Sequence, residues 1–248
     1  VTDDGRKYKM LYVGESNKKK LSRILKMKHL FEKIDFIPKI IWSDEHHIIV
    51  EFIEGEFPNQ TGREFAMAYA KNLALLHNLE IHLYSPDKLV NDIRKDLDYL
   101  VSNGAIDLNL SKNIFNKMLL TKPHEIRSSY VYADSKATNF VFTPERKLFF
   151  IDIGSFQNNM ITDEFLLRSK LYKKLDSEAF NKSYIASGGS KFLFENEDFL
   201  YFVNSIKMGA YQLRVYQDLP FYDWRKKRGR KFNVHRMVSG LKSKIAEL

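Results

Sequence analysis

Cysteine is absent from the 248 residues. Disulfides, thiolate catalysis and cysteine-ligated zinc are therefore excluded. Long apolar runs are absent too: none reaches the roughly 18 residues that a membrane-spanning helix needs. The opening Val1-Thr2-Asp3-Asp4-Gly5 lacks the apolar core of a signal peptide. These absences set the expectation of a cytoplasmic protein. There is no internal repeat and no low-complexity linker. Acidic residues are missing from one stretch, Arg225 to Lys244, which carries nine Lys and Arg. Those nine equal the whole formal excess of +9, so the body of the chain is neutral and the basicity is a C-terminal feature. A uniformly basic nucleic-acid binder has a different distribution.

What is present suits a folded domain with a real core, at 44% hydrophobic and 14% aromatic residues. Residues 7–14 read as a strand closed by glycine. Ser16 or Asn17 is the expected cap of a helix over about 17–33, with Leu21, Ile24, Leu25, Lys28 and Phe31 along one face. Pro38 opens a short strand, Lys39 to Trp42. A second follows the turn Ser43-Asp44-Glu45, from His47 to Ile53, and is nearly all β-branched or aromatic. Residues 61–80 form an amphipathic helix, and two more are expected near 87–102 and 110–120. A hairpin region comes next: Tyr130 to Ala133, a loop, Phe140 to Phe142, a turn at Thr143-Pro144-Glu145-Arg146, and Leu148 to Asp152. From about residue 162 the pattern is helical, with a loop at Ser187-Gly188-Gly189-Ser190. Strands with one helix, followed by mostly helices, predict an α+β fold of two lobes.

The segment with chemical content is Tyr132-Ala133-Asp134-Ser135-Lys136-Ala137-Thr138-Asn139, followed by Ile151-Asp152-Ile153-Gly154. Asp134 and Asn139 stand five apart on one loop, and Asp152 ends a hairpin strand just before a glycine. The hairpin brings Asn139 and Asp152 to one end of adjacent strands, where a carboxylate and an amide offer the hard oxygens that suit Mg²⁺. Phosphoryl transfer from ATP needs that metal and a carboxylate to orient the attacking hydroxyl.

This arrangement resembles the Asp-x4-Asn and Asp-x-Gly loops of the protein-kinase-like superfamily. Three further segments agree in order. Phe36-Ile37-Pro38-Lys39-Ile40 and Val50-Glu51-Phe52-Ile53-Glu54-Gly55-Glu56 resemble the strand before the hinge and the hinge itself. Leu73-Ala74-Leu75-Leu76-His77 resembles the Leu-Ala-x-Leu-His helix of aminoglycoside phosphotransferases, choline kinases and their relatives, and lipopolysaccharide kinases lie in the same group. The resemblance covers about residues 7–160. It implies a small β-rich N-lobe and hinge over 1–56 and a helical C-lobe over 57–248. It implies ATP and Mg²⁺ as cofactors, with Asp134 as catalytic base, Lys136 near the γ-phosphate, and Asn139 and Asp152 on the metal. The Glu51 carbonyl and Ile53 amide would hold adenine, Val50 would be gatekeeper, and Lys9, or Lys7 instead, would contact the α- and β-phosphates. The acceptor would be a hydroxyl of a sugar, an envelope glycan or a small polar molecule. A protein Ser/Thr kinase and a pseudokinase scaffold are the alternatives.

The sequence departs from the pattern in four places. Tyr132 stands where a histidine is usual. The helix that should offer a glutamate to the strand lysine has Arg23 at the matching turn, with Glu15 and Glu32 the nearest acids. No glycine-rich phosphate loop precedes Lys9, and its expected place is upstream of Val1. No Ala-Pro-Glu triplet follows Asp152, which favours a small-molecule or glycan acceptor, whereas Lys136 is the protein-kinase feature. His77 reads as a packed helix histidine. Residues 222–231 mix aromatics with basic side chains: a solvated face is one reading, and peripheral attachment to an anionic membrane or glycolipid is the other. Nucleic acid is disfavoured, because no recognition motif accompanies the run.

Overall fold

A computed structural model describes residues 5–12, 18–134, 136–161, 175–220 and 223–248. The chain divides into two compact units, one formed by Val1–Ile81 with Ser128–Ser190, the other by His82–Arg127 with Lys191–Leu248.

The first unit opens with a three-stranded antiparallel sheet in the order β1 (Tyr8–Tyr12), β3 (His47–Glu51), β2 (Ile40–Ser43). Lys9 lies opposite Val50 and Leu11 opposite Ile48. Strand alternation therefore puts these four on one face, where Val50 and Ile48 are fully buried. Helix α1 (Lys18–Lys26) and the short α2 (Lys28–Phe31) replace the single helix expected over 17–33. The break follows Met27, and the buried stripe is Leu21, Ile24, Met27, Leu30 and Phe31. Leu25 and Lys28, expected on that face, are exposed, because the buried positions recur every three residues from Leu21 through Ile24 and Met27 to Leu30 and leave both off the stripe. Ser16, Asn17 and Glu15 lie outside the described residues.

Helix α3 (Arg63–His77) carries the Leu-Ala-x-Leu-His segment at its end; Leu73, Ala74, Leu76 and His77 are fully buried. His77 is satisfied as expected: its Nδ1 lies 2.7 Å from the Tyr184 hydroxyl of α6 (Ser177–Ala186). Phe65 and Tyr69 of α3 stack at 5.4 Å and meet Phe140 edge-on. Asn72 donates from Nδ2 to the Leu148 carbonyl at 2.8 Å.

Two antiparallel pairs carry the central loops of this unit. Strands β6 (Phe140–Phe142) and β7 (Leu148–Phe150) form the expected hairpin, with Phe140 opposite Phe150. The segment before them does not join it. β5 (Ile126–Tyr132) pairs instead with β8 (Phe156–Met160), from Ser128 opposite Met160 to Tyr132 opposite Phe156. β8 is polar throughout its centre (Gln157, Asn158, Asn159), so no apolar alternation marks it as a strand.

The second unit holds β4 (His82–Tyr84), α4 (Asp87–Ser102), α5 (Leu108–Leu120), α7 (Phe192–Glu195), α8 (Glu197–Asp218) and α9 (Trp224–Glu247). Close helix approach is built with glycine: a Cβ at Gly209 of α8 would fall 2.0 Å from Met237 Cε of α9, and one at Gly240 would fall 2.7 Å from the Tyr201 hydroxyl. Among the described residues, no helix is long and apolar enough to cross a membrane.

Candidate active site

The candidate loops sit at the ends of the two strand pairs in the first unit. β5 ends at Tyr132, and Asp134 follows two residues on; Asp152 follows β7 by two residues and precedes β8 by four. Backbone bonds close this junction. The Ala133 amide donates to the Ser155 carbonyl at 2.9 Å, and the Ile151 amide donates to the Asn139 carbonyl at 2.9 Å. Asn139 ends a single 3-10 turn, Ala137–Asn139. Its side-chain amide donates to the Asp134 carbonyl at 2.8 Å. That bond fixes the rotamer and leaves the side-chain oxygen of Asn139 as the group available to a ligand.

Asp152 caps a second 3-10 turn, Ile153–Ser155. One carboxylate oxygen accepts from the Gly154 amide at 3.1 Å and the other from the Ser155 hydroxyl at 2.7 Å. Each oxygen retains a lone pair, so the carboxylate is oriented without being used up. Tyr132, fully buried, spans the junction: its hydroxyl lies 3.3 Å from the Asn139 carbonyl oxygen and accepts from the Asp152 amide, also at 3.3 Å. Burial, and then the nearby Asp152 charge, hold the phenol well above its ordinary range. Its ring packs on Phe150 and Phe156, each at 4.8 Å.

Each candidate carboxylate has a lysine beside it. Lys136 Nζ donates to Asp134 at 2.7 Å, and this hydrogen bond and charge raise the ammonium pKa, with a smaller contribution from Asp152. Lys20 Nζ of α1 lies 4.0 Å from Asp152 Oδ1. One turn along the helix, Arg23 donates to the Gly154 carbonyl at 2.8 Å. The helix expected to carry a glutamate thus brings two cations to the Asp152–Gly154 turn. Lys20 and Arg23 at i, i+3 before a buried leucine–isoleucine stripe were the available signal; their destination depended on which face of α1 met the turn.

The structure brings Asp134, Lys136, Asn139 and Asp152 together. Lys9 stands on the same sheet face as buried Val50 but is itself exposed, and among the described residues no carboxylate pairs with it. Lys7, the alternative, is taken by Glu54 at 2.5 Å. In the hinge segment, the Glu51 amide is used by the Lys39 carbonyl at 2.9 Å, whereas the half-buried Ile53 has no backbone partner for its amide among the described residues. The hinge is tied to β6 by reciprocal 2.9 Å bonds between Glu56 and Phe142.

The donors present fit a divalent metal. Asp152 and Asn139 supply hard oxygens from one end of a hairpin, but among the described residues no group of three or more His, Cys, Asp or Glu could hold an ion. Mg²⁺ commonly binds to one or two carboxylates with phosphate oxygens completing its shell, so this donor set suits an ion that arrives with a nucleotide.

The fold is shared with solved structures of phosphotransferases. A macrolide 2'-phosphotransferase from Brachybacterium faecium, solved as the apoenzyme, aligns with a TM-score of 0.69 at 13% identity, over 94% of this chain and 85% of that one. An aminoglycoside phosphotransferase with ADP bound aligns at 0.60 and 18% identity, over 93% and 88%. The choline kinase of Streptococcus pneumoniae aligns at 0.60 and 12% identity, over 96% and 88%. No family model and no curated protein sequence matches the chain. The chain therefore has the α+β protein-kinase-like fold, a small three-stranded sheet region followed by a mostly helical region. Within that fold its structural neighbours include aminoglycoside, macrolide and choline phosphotransferases.

Proposed function

We propose that the chain is an ATP-dependent phosphotransferase that moves the γ-phosphoryl group to a hydroxyl of a small polar molecule or sugar. One observation carries the reading: in a kinase-like fold, Asn139 and Asp152 meet at one hairpin end while Asn139 is bonded to the backbone of Asp134. In this reading Asp134 accepts the proton of the attacking hydroxyl and orients it. Lys136, held charged by Asp134, steadies the γ-phosphate. Asn139 and Asp152 hold Mg²⁺, which neutralises charge on the phosphate oxygens. Val50 and the hinge at Glu51 and Ile53 receive adenine, and Lys9 approaches the α- and β-phosphates from the sheet.

The solved neighbours support a small-molecule acceptor through what they act on: aminoglycosides, macrolides and choline. An envelope glycan is the larger acceptor of the same chemistry. The 2.7 Å Lys136–Asp134 pair favours a second reading, a protein Ser/Thr kinase, since a lysine two after the catalytic aspartate resembles those enzymes.

The test is transfer from γ-labelled ATP with Mg²⁺ to aminoglycosides, macrolides, choline, ethanolamine and a fractionated extract, with Asp134→Asn as control. Label in a small-molecule or glycan fraction with wild type alone supports the proposal. Label in protein supports the second reading. ATP binding without transfer to anything overturns both in favour of a pseudokinase scaffold.

A further inference from the structure

We propose that Lys20 is a further phosphate-contacting residue, supplied by the helix from which the family resemblance leads one to expect a glutamate; this rests on the kinase reading above. The ammonium stands 4.0 Å from Asp152 Oδ1, at the outer limit of an ion pair, while the lysine side chain is 44% exposed and the aspartate 32%. At that exposure and distance the pair contributes little to stability, and it is free to exchange partners.

The position is nonetheless built. Lys20 lies across Gly154 so closely that a Cβ there would fall 1.9 Å from its Cε. The bare glycine leaves room for the flexible end of the lysine to cross this turn. Arg23, bonded to the Gly154 carbonyl at 2.8 Å, anchors α1 against the same turn and so fixes the base from which Lys20 extends.

The charges give the site its logic. Asp134 and Asp152 are each accompanied by one lysine, Lys136 and Lys20. With a divalent metal held at Asp152, the Lys20 ammonium would no longer be needed as counter-ion to that carboxylate. The nucleotide delivers anionic oxygens to the same place, and an ammonium on a flexible stem with three rotatable donors moves onto them readily. Lys20 thus passes from the carboxylate to a phosphate oxygen when metal and nucleotide enter. No covalent change is involved. Lys9, which no described carboxylate holds or orients, remains the sheet-borne cation, and Lys20 adds another from the helix.

The experiment is calorimetric titration of the full chain with adenosine, ADP and adenylyl imidodiphosphate, each with and without Mg²⁺, for wild type, Lys20→Met and Lys20→Arg. Loss of one hydrogen bond to a charged group predicts about tenfold to a hundredfold weaker binding of the imidodiphosphate by Lys20→Met. Adenosine binding stays unchanged, and Lys20→Arg recovers part of the loss. Equal imidodiphosphate affinity for wild type and Lys20→Met overturns this inference and leaves the kinase reading standing. A parallel loss of adenosine affinity also overturns it, since the residue would then act on the fold. Wild type that binds none of the three overturns the kinase reading itself.

Discussion

The Tyr132 hydroxyl accepts from the backbone amide of Asp152 at 3.3 Å, while the same oxygen reaches the Asn139 carbonyl at 3.3 Å. One buried phenol therefore ties together the two loops that would share a metal. Tyr132→Phe keeps the ring packing on Phe150 and Phe156 and removes these bonds. The Asn139 carbonyl retains the Ile151 amide, so the Asp152 amide is the group left exposed to a lost partner. A stability loss of about 1–2 kcal/mol is expected in urea unfolding. The Mg²⁺ concentration needed for half-maximal nucleotide binding is expected to rise more than tenfold, in the range seen when outer-shell partners of metal ligands are removed. An unchanged Mg²⁺ midpoint would reduce Tyr132 to a packing residue.

Asp152 has two roles that different substitutions separate. Its carboxylate caps the Ile153–Ser155 turn through the Gly154 amide and Ser155 hydroxyl, and it is the candidate metal ligand. Asp152→Asn preserves a cap acceptor but removes the charge, so it is expected to fold with little change in melting temperature and to lose the Mg²⁺ enhancement of nucleotide binding. Asp152→Ala loses the cap as well, at about 1 kcal/mol. If Asp152→Asn keeps its full Mg²⁺ dependence, the metal belongs elsewhere.

The sequence pattern made the loops legible because their spacing is local: Asp134 and Asn139 share one loop, and Asn139 and Asp152 are bridged by one short hairpin whose Phe140–Phe142 and Leu148–Phe150 strands are short, wholly apolar runs either side of a turn. β5 was misplaced in that hairpin because its partner, β8, is polar at Gln157, Asn158 and Asn159. Lys20 and Arg23 were hidden for another reason. Their partners lie more than 130 residues away along the chain, and nothing local distinguishes a cation that reaches a turn from one in water. The break after Met27 likewise follows from tertiary packing of Leu30 and Phe31, for the sequence there has neither Gly nor Pro.

Two buried tyrosines give the protein an alkaline limit. Burial, and then the hydrogen bond to Glu80 at 2.8 Å, push Tyr130 up to about 12, and burial holds Tyr132 higher than its ordinary value of 10.0 as well. In the unfolded chain both ionise near 10, before either does in the fold. Above that pH the folded state holds more protons, so stability falls as pH rises. It is fully present below about pH 10 and is lost through the folded values, each tyrosine adding a slope of up to about 1.4 kcal/mol per pH unit. Urea midpoints measured from pH 8 to 11.5 check this. Tyr130→Phe should flatten the fall, and an identical slope in that variant would remove Tyr130 from the account.

The hinge depends on one glycine. Gly55 has φ 156°, and a Cβ there would lie 2.0 Å from the Phe142 carbonyl oxygen and 2.7 Å from Val141 Cγ1. The shortest contact is with backbone, so movement of the Val141 side chain alone does not relieve it. Gly55→Ala must break the reciprocal Glu56–Phe142 bonds or displace β6, and with it Asn139. The expected cost is about 2 kcal/mol or more, seen as a lower urea midpoint together with weaker nucleotide binding. A variant of wild-type stability would show that the hinge can be re-routed without strain.

The basic C-terminal run divides by what its side chains touch. Lys226 pairs with Asp223 at 2.9 Å, Lys227 lies 5.6 Å over the Tyr216 ring, Arg230 donates to Gln212 at 2.7 Å, and Lys244 pairs with Asp198 at 2.6 Å. Phe221 and Tyr222 lie outside the described residues. Arg228, Lys231 and Lys242 are exposed without an ion pair among the described residues. Helical geometry places them on one side of α9 together with Phe232, which is 63% exposed. If an anionic membrane or glycolipid is a partner, these three carry the attraction, at about 1 kcal/mol each. The triple change R228Q, K231Q and K242Q is then expected to weaken binding to phosphatidylserine vesicles by roughly a hundredfold, with nucleotide affinity untouched because no candidate site residue is altered. Vesicle flotation of both proteins at low and physiological salt decides the matter. Wild type that stays with the buffer under both conditions makes this stripe a solvated face, and α9 then serves the second unit through its buried Val234 and Leu241 and its polar contacts with α8.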